Sequence, residues 1–337
     1  MARIVPVLDL SRLEQGASER WTFLFDLRTA ARDVGFFYLS GHGISAVEID
    51  EMLDASRRFF ALPEADKLAI EMVKSPQFRG YTRTGGELTK GRADWREQLD
   101  IGVERQPIPQ GPGIPAWTRL QGPNQWPSAL PELKPALLAW QTRATAVAIR
   151  LLKAFALSLD QAEDAFDPIY SGEPNHRMKI VRYPGATGDG QGVGAHKDGG
   201  FLTLLLQDEN EGLQVEYDGS WVNADPIPET LVVNIGELLE LASNGYLRAT
   251  VHRVVTPPAG VERISVPFFF SARLDATIPL LTLPEELAVE ARGPASDPDN
   301  PLFRDVGTNV LKSRMRSHPN VASRHYADLL ETGASPV

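Results

Sequence analysis

The chain predicts an α+β fold in which helices surround one antiparallel β-core. Three observations carry this expectation. Apolar side chains recur at helical spacing through most of the first 170 residues. Between 178 and 270 the pattern changes to short β-type runs separated by turns, with one short helical stretch near 237–243. The last 35 residues return to a helical pattern. Closely spaced strands without crossover helices pair antiparallel, as in a sandwich or barrel.

Taken in order, M-A-R-I-V-P-V-L-D-L has no charged segment leading into an apolar one, so it reads as a short strand and not as a signal peptide. Residues 18–34 fit a helix, and G-F-F-Y-L-S-G-H-G (35–43) a strand ending in a glycine turn. A second helix is expected across 46–60, stopped near Pro63. Residues 74–127 are rich in Gly and Pro and predict a long surface excursion, the kind of loop that often carries function. A long amphipathic helix over 131–158 follows. The strands expected after it are 178–183, 201–207, 212–217, 230–235, 249–255 and 264–270. This divides the chain into a mainly helical part (1–170), a β-core (171–280) and a helical segment packing on that core (281–337).

With 337 residues, 42% hydrophobic and 23% charged, the composition is that of an ordinary globular protein. No run of about 18 apolar residues would span a membrane. The chain has no cysteine, which excludes disulfides, thiolate metal sites and a cysteine nucleophile, and fits a cytoplasmic protein. A net charge of −10 with no basic block argues against nucleic acid as a partner.

Chemistry concentrates around V-G-A-H-K-D-G-G-F (193–201). Charged side chains against an apolar run need a partner. On a strand, His196 and Asp198 share a face while Lys197 points away, so an imidazole and a carboxylate converge. That pair suits a divalent first-row metal, and a second imidazole would complete a two-histidine, one-carboxylate face. His252, inside the apolar run A-T-V-H-R-V-V, is the candidate. Arg263 and Ser265 of E-R-I-S-V-P form another pair on one strand face, a guanidinium beside a hydroxyl that can clamp a carboxylate.

These residues lie in motifs that resemble one family: the non-haem iron, 2-oxoglutarate-dependent dioxygenases of the isopenicillin N synthase-like branch. R-I-V-P-V-L-D-L-S, G-F-F-Y-L-S-G-H-G, R-G-Y-T-R-T-G-G-E, M-K-I-V-R-Y-P, G-A-H-K-D-G-G-F-L-T-L-L-L-Q-D, G-L-Q-V, W-V-N-A-D-P-I-P, V-V-N-I-G-E, A-T-V-H-R-V and R-I-S-V-P-F-F-F follow in the family's order. The resemblance implies a double-stranded β-helix (jelly-roll) core with iron at one mouth. It implies Fe(II) ligation by His196, Asp198 and His252, and binding of the distal carboxylate of 2-oxoglutarate by Arg263 and Ser265 with Tyr183 assisting. Asn234 and Gly236 match positions that shape the core near the site. The implied activity is oxidation of a small-molecule substrate by dioxygen, by hydroxylation, desaturation or cyclisation, with release of succinate and CO2.

Some positions depart from the family pattern. Lys197 stands where threonine is common, and Glu237 where aspartate follows V-V-N-I-G. The end of the chain, L-L-E-T-G-A-S-P-V, lacks the near-terminal glutamine that resembles an extra ligand in isopenicillin N synthase itself, which weighs against a ring-forming role. The rival readings are an oxidase of that type that needs no 2-oxoglutarate, and a metal-binding jelly roll without catalysis. A zinc hydrolase would want a placed general base, and none stands out. Residues 79–92, with Arg79, Arg83, Lys90 and Arg92, form a basic cluster that as a lid would favour an anionic substrate. His318 and His325 are expected to be surface or capping residues.

Overall fold

The computed structural model describes residues 4–172, 174–187, 190–295, 297 and 300–331. Two sheets form the centre. The larger has eight strands in the order Val7–Asp9, Phe36–Ser40, Leu231–Ile235, Leu202–Gln207, Glu262–Ser271, Asn175–Pro184, Glu97–Gly102 and Gly80–Thr82. The smaller has four, in the order Ser220–Asn223, Leu213–Tyr217, His252–Val255 and Gln191–His196. Only the pair Val7–Asp9 and Phe36–Ser40 runs parallel; every other pairing in the two sheets is antiparallel. This is the jelly-roll arrangement, one sheet facing the other across a shared interior.

The two faces of the large sheet do different work. Along Asn175–Pro184, Met178 and Ile180 pack into the main apolar core with the helices Ala17–Asp33, Ala46–Phe60 and Leu133–Ser158. Val181 and Tyr183 instead join Val193, Leu213, Val215 and Val254 in the layer between the sheets. The period of two in a strand forces this division. The helix Ala46–Phe60 starts at a capping box in which Ser45 and Glu48 satisfy each other's backbone donors.

The segment 74–127 corrects its sequence reading, for it is no surface excursion throughout. Glu97–Gly102 is buried along its whole length and pairs with Asn175–Pro184, and Gly80–Thr82 pairs with it in turn. E-Q-L-D-I-G looks exposed in sequence because half its side chains are polar. Inside the fold those charges are matched. Glu97 pairs with Lys67 at 2.9 Å and Arg182 at 2.6 Å, and Asp100 with Arg314 at 2.8 Å.

Chain ends complete the frame. The helix Val306–Ser317 is capped by Asp305, whose carboxylate accepts from Thr308 N, and two short helices follow it. Residues 332–337, in the glutamine-free terminus, lie outside the described residues. Among the described residues no helix is long and apolar enough to cross a membrane.

Candidate active site

His196 and His252 face each other across two paired strands. His196 ends Gln191–His196, His252 opens His252–Val255, and the two are register partners with ring centroids 4.3 Å apart. Asp198 does not lie on that strand, as the sequence pattern suggested, but on the turn after it. Convergence survives because the turn is pinned: Glu237 N donates to Asp198 O at 2.7 Å, and Gly236 N to Phe201 O at 2.9 Å. Asp198 Oδ1 then lies 3.5 Å from His196 Nε2, and Oδ2 lies 3.8 Å from His252 Nε2. One ligand atom from each residue falls within 4.8 Å of the others, the compactness a single metal ion requires.

Surrounding groups orient all three. Each imidazole places Nδ1 against a carbonyl, His196 on Gly194 O at 2.8 Å and His252 on Thr250 O at 3.1 Å, which leaves both Nε2 lone pairs aimed inward. Asp198 Oδ2 accepts from Thr203 Oγ1 at 2.6 Å and Asn234 Nδ2 at 2.8 Å. Burial alone would raise the Asp198 pKa, yet His252, His196 and Thr203 hold it well below the usual carboxylate range. Burial, with His196 beside it, pushes His252 down to about 4, whereas the hydrogen bond and charge of Asp198 outweigh burial at His196 and raise it. The carboxylate is thus ionised and His252 neutral near pH 7, the forms that bind a metal.

The support comes from one rung of the large sheet. Arg177, Phe269, Thr203, Asn234 and Phe36 are successive register partners on five adjacent strands. Directly opposed residues project from the same face of a sheet. Thr203 and Asn234 grip Asp198, and the Phe36 ring meets His252 edge-on at 5.1 Å.

Arg263 is completely buried (0% exposed), with Ser265 on the same strand. Its Nε donates to Asn210 O at 3.2 Å, its Nη2 to Gln207 Oε1 at 2.7 Å, and its guanidinium lies 5.0 Å from the Tyr183 ring centroid. Nη1 is buried without a partner among the described residues. A buried guanidinium nitrogen left unpaired is costly, so Nη1 is free to take an acceptor from outside the chain. A Cβ on Gly212, at φ +153, would sit 3.2 Å from Arg263 Cδ, and the strand that follows it pairs with His252–Val255.

A cavity of about 480 Å³ opens on His196 and Asp198. Its walls come from Glu87–Gly91, the Asn175–Pro184 strand and the helix Val306–Ser317. A buried ion network ties these walls together. Glu87 meets Lys179 at 2.7 Å, Arg96 at 2.8 Å and His318 at 3.3 Å; Asp100 meets Arg314 at 2.8 Å and Lys179 at 3.5 Å. Burial would raise Glu87, but Lys179, Arg96 and His318 hold it well below its ordinary value. This network was missed in the sequence. Its one signal is N-H-R-M-K-I-V-R-Y, where Arg177 and Lys179 stand on the strand face that also carries Tyr183.

Three sequence expectations are corrected here. His318 is no surface residue but 1% exposed, because Glu87 and the Phe78 ring enclose it. Arg79 is buried and spent on Asn124 Oδ1 at 2.8 Å. Arg83 faces Glu64 and Glu71 at 3.8 and 3.7 Å, and of the four cations in 79–92 only Lys90 lines the cavity.

Fold and site together define the class of non-haem metal oxygenases built on a jelly roll. Family models match at residues 5–129, the non-haem dioxygenase N-terminal region named for morphine synthesis, and at 174–272, the 2OG-Fe(II) oxygenase superfamily. A 2-oxoglutarate-dependent dioxygenase, frbJ, of a Dothideomycetidae species is 37% identical over 97% of this chain and 93% of its own length. A homoarginine-6-hydroxylase of Arabidopsis thaliana is 35% identical, covering 86% of this chain and 91% of itself. A Neurospora crassa protein solved with alpha-KG and thymine superposes with a TM-score of 0.74 at 25% identity, over 92% of this chain and 96% of that one. The chain belongs to the 2OG-Fe(II) oxygenase superfamily. It is an iron(II)- and 2-oxoglutarate-dependent dioxygenase that oxidises a small molecule with dioxygen.

Proposed function

We propose that His196, Asp198 and His252 hold the iron, and that Arg263, Ser265 and Tyr183 receive the distal carboxylate of 2-oxoglutarate. The observation that carries this reading is the pairing of a compact nitrogen–oxygen donor set with the unpartnered Nη1 of Arg263. The donors fit the ion: two imidazoles and an ionised carboxylate suit Fe(II) and leave positions free for other ligands. Iron bound there supplies activation of dioxygen, coupled to decarboxylation of 2-oxoglutarate, for attack on a substrate C–H bond.

The chain's own residues then have defined tasks. Gly194 O and Thr250 O hold the imidazole tautomers, and Thr203 and Asn234 stop Asp198 from turning away. Arg263 orients the cosubstrate by a charge-assisted contact made away from solvent. The network about Glu87 keeps the walls together, so that oxidant and substrate meet with little water present. Names among the relatives, homoarginine for one and thymine for another, support a small polar substrate. The cationic lining of the cavity favours an anionic one.

The direct experiment is an anaerobic titration of the iron(II)-loaded protein with 2-oxoglutarate, followed in the visible. A charge-transfer band that saturates at one equivalent, and is lost when Arg263 is replaced at the same ligand concentration, supports the assignment. A band unaffected by Arg263→Ala would remove this clamp from the proposal.

A further inference from the structure

We propose that Arg177 is the residue that recognises the substrate, by binding a carboxylate on it. This deepens the reading of the cavity as a dioxygenase's substrate site, and rests on it.

One ion network behind the cavity wall balances its own charge. Glu87, Asp94 and Asp100 are met by Lys179, Arg96 and Arg314 in one continuous set of ion pairs. Three anions face three cations there. Arg177 is a cation outside this set. It lines the cavity and is half-buried, with its guanidinium 5.5 Å from the Phe269 ring centroid. Among the described residues it makes no side-chain hydrogen bond or ion pair. A guanidinium brought partly out of water over a ring has given up hydration without gaining an acceptor. The ring contact uses none of its N–H groups, so they remain available for two parallel bonds to a carboxylate.

Its position is as informative as its lack of a partner. Arg177 stands on the rung that also carries Thr203 and Asn234, and projects from the same face. Two strand spacings, roughly 10 Å, separate its backbone from that of Thr203, which holds Asp198. A molecule anchored at Arg177 is therefore presented toward the three ligand residues. Arg263 lies elsewhere, six positions before Phe269 on its strand and opposite Tyr183. The two arginines thus offer separate anion sites, one for the cosubstrate and one for the substrate.

The test uses the full chain with iron(II) and 2-oxoglutarate under argon, and calorimetry as the readout. Hexanoate, 3-phenylpropionate, 5-phenylvalerate and N-acetyl-L-leucine are each compared with their own primary amides. For the unaltered chain, at least one acid should bind roughly ten- to a hundredfold tighter than its amide. Arg177→Met, which keeps an apolar chain over Phe269, should close that gap to within about twofold and leave amide binding and the 2-oxoglutarate charge-transfer band unchanged. Arg177→Lys should restore part of the gap, and serves in place of the methionine variant if that one does not fold. A preference for acids that persists in Arg177→Met overturns the proposal, and so does a panel in which no acid outbinds its amide. Loss of the charge-transfer band from the unaltered protein would instead count against the cosubstrate reading.

Discussion

At His252 a neutral imidazole is held in a buried place by one carbonyl, one phenylalanine edge and the carboxylate it shares with His196. Truncating it removes a proposed ligand without opening the main core, so His252→Ala should fold, with a normal circular dichroism spectrum, and lose stoichiometric iron on metal analysis. Retention of one tightly held iron per chain would contradict the triad. Arg263 is judged by cosubstrate affinity. A charge-assisted contact of this kind contributes about 1.5–3 kcal/mol, so Arg263→Ala should weaken 2-oxoglutarate binding roughly ten- to a hundredfold in an equilibrium titration. Arg263→Lys should recover little of this, because an ammonium cannot bond Asn210 O, Gln207 and a carboxylate from one plane.

Among the elements, the turn after Gln191–His196 is the one whose shape decides the site. It is clamped against the start of the helix Glu237–Ala242, where a Cβ on Gly236 would sit 2.1 Å from Gly200 O and 3.2 Å from Asp198 O. The backbone of Gly236 is otherwise unstrained, with φ −94, so the demand for glycine is one of space. Gly236→Ala must therefore displace the turn that carries Asp198. Iron affinity should fall by on the order of tenfold or more, as when a ligand's supporting shell is disturbed, and stability by about 1–3 kcal/mol. A competition assay against a chelator measures the first and urea unfolding the second. Unchanged metal affinity would show that the turn adapts elsewhere.

Across the whole molecule, helices pack on the outer face of the large sheet, and His176 lies at that junction. Its ring is 5.2 Å from Phe268, with Nδ1 3.4 Å from Thr145 Oγ1. Burial, then the nearby Arg105 and Arg79, push its pKa from 6.5 down to about 4. The unfolded chain therefore binds a proton that the folded one refuses between these values. The resulting stability is complete above about pH 6.5 and is lost as pH falls toward 4, worth up to about 3 kcal/mol. Melting temperature should drop over that window, and His176→Gln, neutral throughout, should flatten the profile. A profile of the same steepness in the variant would place the acid sensitivity on other groups.

Tyr183 entered only through the family resemblance, whereas local pattern was enough to show helices around an antiparallel core and to single out His196, Asp198, His252, Arg263 and Ser265. Each of these lies in a short run whose residue types already state a chemistry. Periodicity also located most strands, because one face of each is apolar. The sequence by itself could not place Glu97–Gly102, whose charges read as surface until Lys67, Arg182 and Arg314 arrive from distant parts of the chain to neutralise them. Nor could it show that His318 is buried or that Arg83 faces away from the cavity. Whether a charged side chain is solvated, paired or left waiting for a ligand depends on what folding brings beside it. Arg177 and Arg314 are alike in sequence, and only tertiary structure gives one of them Asp100 and leaves the other facing an open cavity.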